Sequence, residues 1–135
     1  MLTFKEFVME STFNKTYFKT FFKFKHLELK MPINFAILSA GNISNTLSDK
    51  VSDKLLKQHF KKANIWHQRV FCISKKGIEK CWTAEITFLE AKALGTNFKQ
   101  DAFFYIEQDH LFVAKCNEVL HEKVYVGIFT DKITT

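Results

Sequence analysis

The run Asn34-Phe35-Ala36-Ile37-Leu38-Ser39-Ala40 carries no charged residue and ends at Gly41. A segment of this length without polar alternation reads as a central strand covered on both faces, because a half-solvated strand would place a polar residue at every second position. A strand of that kind needs neighbours on both sides and packed layers above and below it. The chain is therefore expected to build a layered α+β domain.

Other segments supply those neighbours. Tyr17 to Phe24 alternates aromatics with lysine, and Leu27, Leu29 and Met31 alternate with Glu28 and Lys30 before Pro32, which reads as a hairpin turning near Lys25-His26. Arg69–Ser74 and Ile78–Thr83 flank Lys75-Lys76-Gly77. A two-residue turn at Lys76-Gly77 sets Lys75 opposite Ile78, Phe71 opposite Trp82 and Cys72 opposite Cys81. Phe71, Ile73 and Trp82 then share one face, and Val70, Cys72, Cys81 and Thr83 the other. Phe103–Ile106 and Leu111–Ala114 form a further hairpin across Gln108-Asp109, and Val124–Phe129 a last strand.

Helical spacing appears in three places. Phe4, Phe7 and Val8 suggest a short amphipathic helix. From Ser48, a favourable helix start, Val51, Leu55, Leu56, Phe60 and Ala63 line one face and Lys50, Lys54, Lys57 and Lys61 the other. Phe88, Ala91, Leu94, Gly95 and Phe98 make a compact helix with Thr87 or Thr83 near its start. No repeat, linker or low-complexity tract divides the chain, so one compact domain over 1–135 is expected, a mainly antiparallel or mixed sheet of hairpins packed by two to three helices.

Composition bounds the function classes. A chain of 135 residues, 47% hydrophobic and 25% charged, is long enough to bury a core, and no apolar run reaches membrane-spanning length. Lys5, Glu6 and Glu10 interrupt any secretion-signal core, so a cytoplasmic protein without membrane association is expected. The net charge of +6 points toward a polyanionic partner. Arg69 is the only arginine, however, so bidentate reading of guanine or phosphate is nearly closed to this chain.

The chemistry-bearing residues gather at junctions between elements, where side chains can converge on a cleft. Glu85 follows a strand and precedes a helix; it is a candidate acid/base, with a helix-start carboxylate as the alternative. His67, at a strand entry, is a candidate proton carrier or a half-buried hydrogen-bonded histidine. Asn42, Thr87 and Gln100 are candidate ligand-binding residues, each with a capping or turn role as its alternative. Lys50, Lys54, Lys57 and Lys61 are the candidate nucleic-acid-binding residues or an ordinary solvated face. Histidine and cysteine lack paired metal-ligand spacing, so neither a metal nor a cofactor is expected.

The ordered set Phe35-Ala36-Ile37-Leu38-Ser39-Ala40-Gly41-Asn42, an amphipathic helix, Trp82-x-x-Glu85-x-Thr87-Phe88 and Leu94-Gly95-x-x-Phe98-x-Gln100-x-Ala102-Phe103 resembles the bacterial and phage domain-of-unknown-function 3293 family. The resemblance spans about residues 17–113. It implies a shared fold and brings no activity with it. The leading expectation is a binding or interaction module for a protein or nucleic acid. The alternatives are a small enzyme acting on a nucleotide or nucleic acid through Glu85, and a single-strand binder using the aromatics and lysines of Tyr17–Lys25.

Overall fold

The computed structural model describes residues 15–26, 30–40, 47–117 and 122–134. Along these, a 3-10 turn (Lys15–Lys19) leads into β1 (Phe21–Phe24), β2 (Asn34–Leu38), α1 (Leu47–Lys62), β3 (His67–Ser74), β4 (Gly77–Ala84), α2 (Phe88–Asn97), β5 (Ala102–Glu107), β6 (His110–Lys115) and β7 (Val124–Ile128), and a second 3-10 turn (Phe129–Lys132) follows. The seven strands form one sheet in the order β1-β3-β4-β2-β5-β6-β7, with every named pair antiparallel. The fold is α+β and dominated by this sheet, which curls into a half-barrel.

β2 occupies the central place its apolar run predicts, between β4 and β5. Its alternate side chains feed two cores. Phe35 and Ile37 join Phe22, Val70, Phe104, Leu111 and Phe129 on the concave face, where T-shaped ring contacts such as Phe22–Phe104 at 5.1 Å fill the interior. Ala36 and Leu38 join Leu56 and Phe60 of α1, Ala91 of α2, Trp82 and Phe103 on the face that the helices cover. Beyond β7 the chain returns to the opposite edge: Ile133 bridges Phe22, and the Thr134 amide donates to the Phe22 carbonyl at 2.8 Å. That contact draws the two edges of the sheet toward each other.

The Gln108-Asp109 turn forms where expected. Both residues have positive φ, 48° and 70°, as a two-residue hairpin loop of the type I′ kind requires. Neither is glycine, and the strain is offset by contacts. The Asp109 carboxylate accepts from the Thr130 amide (3.0 Å) and hydroxyl (2.7 Å), and the Gln108 amide donates to the Ile33 carbonyl at 3.1 Å.

Three expectations are corrected. The β3–β4 turn is Lys75-Lys76, with Ser74 opposite Gly77, so Cys72 faces Glu79 and Val70 faces Cys81. The positive-φ position is Gly77 (128°), just after the two-residue turn instead of within it, and this moves the register by two residues while leaving the faces as expected. Second, Lys15–Lys19 is a 3-10 turn and β1 pairs with β3; residues 27–29, the other arm of the expected hairpin, lie outside the described residues, as does the expected helix at Phe4–Val8. The Thr20 hydroxyl donates to the Thr16 carbonyl at 2.6 Å and holds that turn.

Third, α1 does not bury the face that its apolar residues mark out. Leu56 and Phe60 are buried, but Val51 and Leu55 are each about half exposed, and Ala63 is exposed. The inward stripe is Asp49, Ser52, Asp53, Leu56 and Phe60, a regular helical spacing whose first half is polar. Those polar positions have partners inside. The Asp53 carboxylate accepts from Arg69 of β3 and from the Trp82 indole, while Asp49 and Ser52 face a cavity.

Candidate functional site

β2 is shorter than the strands beside it, and the site follows from that difference. It pairs with β4 only through Trp82, Thr83 and Ala84, and with β5 only from Phe104 onward. Where β2 runs out at Ser39 and Ala40, a notch separates the first half of β4 from the start of β5. A cavity of about 470 Å³ occupies the notch. Ile37, Cys72, Cys81 and Phe104 line it from the concave face, Asp49 and Ser52 from the start of α1, and Phe98–Asp101 from the turn after α2. Concave sites of this size at the mouth of a curled sheet are where small ligands bind.

Glu79 is the charged residue that β4 carries into this notch. It shares the inward face with Cys81 and Thr83, opposite Cys72, and is only half-exposed. Burial raises its pKa above the ordinary glutamate value; a hydrogen bond with Ser39 works the other way, and Asp49 nearby adds to the rise. Glu79 can therefore hold a proton closer to neutrality than a surface carboxylate, and it can accept donors from a ligand that enters the notch.

The surrounding groups are mostly acceptors. The Tyr17 hydroxyl donates to Asp101 Oδ2 at 3.2 Å, and burial, reinforced by Asp101, drives the Tyr17 pKa upward. Lys115 pairs with the other Asp101 oxygen at 3.5 Å. The Gln100 side-chain amide donates to the Phe98 carbonyl at 3.2 Å, and its backbone amide closes the end of α2 on Gly95 at 2.8 Å. On the wall, the Cys72 and Cys81 sulfurs share a hydrogen bond at 3.1 Å; that contact first, and burial second, hold the Cys81 thiol protonated well above its usual range.

The residues singled out in the sequence are dispersed. Gln100 lines the notch. Glu85 and Thr87 lie at a separate, more open depression with Asn34, Glu90 and Tyr105. Glu85 is exposed, and its backbone amide donates to the Trp66 carbonyl at 3.0 Å. Thr87 is the N-cap of α2: its hydroxyl accepts from the Glu90 amide at 3.2 Å, and the Glu90 carboxylate accepts from the Thr87 amide at 3.0 Å. His67 lines neither space. Its Nδ1 is hydrogen bonded to the Ile65 carbonyl at 2.8 Å, and its ring packs between Phe60 and Trp82. Asn42 lies outside the described residues. The candidate catalytic residues Glu85 and His67 and the candidate ligand-binding residue Gln100 thus lie in three different places.

Lys50, Lys54, Lys57 and Lys61 are all exposed along one flank of α1, with Lys57 Nζ 5.6 Å from the centre of the Trp82 ring. Among the described residues, no group of three His, Cys, Asp or Glu side chains is placed to hold a metal, and no helix is long and apolar enough to cross a membrane.

Glu79 is the residue that sequence reasoning misses. Its signal is present: period-two counting along Gly77–Ala84 places it on the same face as Cys81 and Thr83, a carboxylate on the buried side of a strand. Asp49 and Ser52 escape for a related reason, since the apolar pattern of α1 points to a different face. No protein-family model, no curated protein and no solved structure matches the chain.

Proposed function

We propose that this protein is a binding module whose ligand is a small polar molecule presenting hydrogen-bond donors, held in the notch between β4 and β5. The observation that carries the reading is the convergence of Glu79, Asp49, Asp101, Ser39 and Gln100, drawn from separate elements, on one cavity of about 470 Å³. Ile37, Phe98 and Phe104 add apolar wall. A few convergent polar groups against such a wall are what fix a small ligand's orientation. Amino and hydroxyl groups suit this lining, because an ionised carboxylate accepts hydrogen bonds and cannot donate them. The family likeness read from residue order adds no residue to this proposal.

Native mass spectrometry of freshly purified protein, followed by thermal-shift screening of amines, polyols and nucleosides, tests it. A ligand retained by the wild type and bound at least about tenfold more weakly by Glu79→Gln is the expected result, in line with losing one charge-assisted hydrogen bond. Equal affinity in both proteins for every ligand found, or no ligand across the panel, would sink the reading.

A second reading places a polyanionic partner on the lysine-bearing flank of α1. The exposure of Lys50, Lys54, Lys57 and Lys61 on one helix favours it. It requires binding to single-stranded nucleic acid that weakens steeply with salt and loses slope when Lys54 and Lys57 are replaced by Gln. Salt-independent or undetectable binding removes it.

A further inference from the structure

We propose that Cys72 and Cys81 form a redox-active dithiol, entered through the notch, that a hydroperoxide converts to an intramolecular disulfide while Cys116 stays reduced. The proposal shares the cavity with the binding reading but does not depend on what occupies it.

Three observations carry it. The two sulfurs are already 3.1 Å apart, so closing to a covalent bond of about 2.05 Å moves them by about 1 Å. Both residues line the cavity, so a water-sized oxidant reaches them even though their overall exposure is only 7% and 3%. Their positions follow from the corrected register. Cys81 lies opposite Val70 and Cys72 opposite Glu79, a diagonal placement on one face of two paired strands, where backbone hydrogen bonding holds the thiols together.

Cys116 provides the internal contrast. It is buried on the helix-covered side of the sheet, closely packed against Gly95, and is absent from the cavity wall. Burial pushes its thiol up to about 12; Cys81 is raised as well, so what sets Cys116 apart is the lack of a neighbouring thiol and of a place on the cavity wall.

The chemistry balances with the hydroperoxide as the two-electron oxidant. The Cys72 thiol, the more exposed of the pair, loses its proton and attacks the peroxide oxygen, giving a sulfenic acid and releasing water from hydrogen peroxide. The Cys81 sulfur then attacks the Cys72 sulfur, forming the S–S bond. The sulfenic hydroxyl leaves with the Cys81 proton as a second water. In sum, two thiols and one hydrogen peroxide give one disulfide and two waters.

The test uses the full chain, folded, with hydrogen peroxide as the probe. After quenching, unfolding and alkylation, mass spectrometry without reduction should show loss of two hydrogens, a Cys72–Cys81 cross-link and a single alkylated cysteine, Cys116, all reversed by dithiothreitol. Oxidation of the pair should outrun that of Cys116 by at least about tenfold, since the second thiol is already in place. A Cys116→Ser variant should form the same link at the same rate, and urea-unfolded protein should give a mixture of pairings. Consumption of Cys116 first, linked dimers as the main product, or unreacted Cys72 and Cys81 under excess peroxide would overturn the proposal. The cross-link map of the wild-type protein is sufficient by itself, so a variant that fails to fold leaves the test intact.

Discussion

Asp53 of α1 grips Arg69 of β3 through both carboxylate oxygens, Nη2–Oδ2 at 2.7 Å and Nη1–Oδ1 at 3.0 Å, and the same Oδ1 accepts from the Trp82 indole at 3.1 Å. The guanidinium also lies 3.8 Å from the centre of the Trp82 ring. This cluster ties the helix to the sheet beside the notch, and it explains why an aspartate sits on an inward helical position. Asp53→Ala would leave two donors unpaired in a partly buried place and should cost about 2–3 kcal/mol, read as a lower urea midpoint with unchanged slope. Asp53→Asn should cost less, because it can still accept from Trp82. Equal stability of Asp53→Ala and wild type would show that the cluster is incidental.

The raised pKa of Glu79 sets the sign of a pH effect. Its folded value lies above the unfolded value near 4.5, so the folded state binds the proton more tightly. The stability linked to this proton is complete below about pH 4.5 and is lost as pH rises through the folded pKa, above which the buried charge is carried at full cost. Glu79→Gln should therefore be more stable than wild type at pH 7, and the difference should shrink as pH falls toward 4.5. Chemical unfolding of both proteins at several pH values measures this. A variant that is less stable at pH 7 would mean that hydrogen bonds to the ionised carboxylate outweigh its burial.

Gly95 matters for a packing reason. A Cβ added there would overlap Cys116 Sγ, since α2 lies directly against the end of β6 at that point. Alanine favours helices over glycine by about 1 kcal/mol, yet Gly95→Ala should destabilise by about 1–3 kcal/mol because the buried Cys116 sulfur would have to shift. Combining it with Cys116→Ala should recover most of the loss, and a double-mutant cycle by thermal unfolding reports the coupling. Additive effects would show that the two positions are not in contact.

Thr87 separates structural from ligand roles. Removing the hydroxyl in Thr87→Ala breaks one arm of the capping box and should cost about 1 kcal/mol of stability. Binding in the notch should be unchanged, as Thr87 lines the other depression. A loss of ligand affinity without a fall in melting temperature would instead move the site to Glu85 and Thr87.

Several features of this protein are local enough to be written in its sequence. The uncharged run of β2 marks a central strand because only a strand buried on both faces dispenses with polar alternation. The Gln108-Asp109 turn and the Thr87–Glu90 cap follow from backbone chemistry over two to four residues. The two faces of β3 and β4 survive a two-residue register error because side chains alternate with a period of two.

The site is another matter. Ser39, Asp49, Glu79 and Gln100 are 10 or more positions apart in sequence, and their meeting depends on β2 ending early between two longer strands. Strand length, register and the rotation of α1 are settled by what packs against them. Val51 and Leu55 face outward because Asp53 has Arg69 and Trp82 to bind, a choice visible only once the helix lies on the sheet. Sequence periodicity located the elements; the tertiary structure decided which polar residues turn inward, and so brought Glu79 into the notch while Glu85 lies at a separate depression.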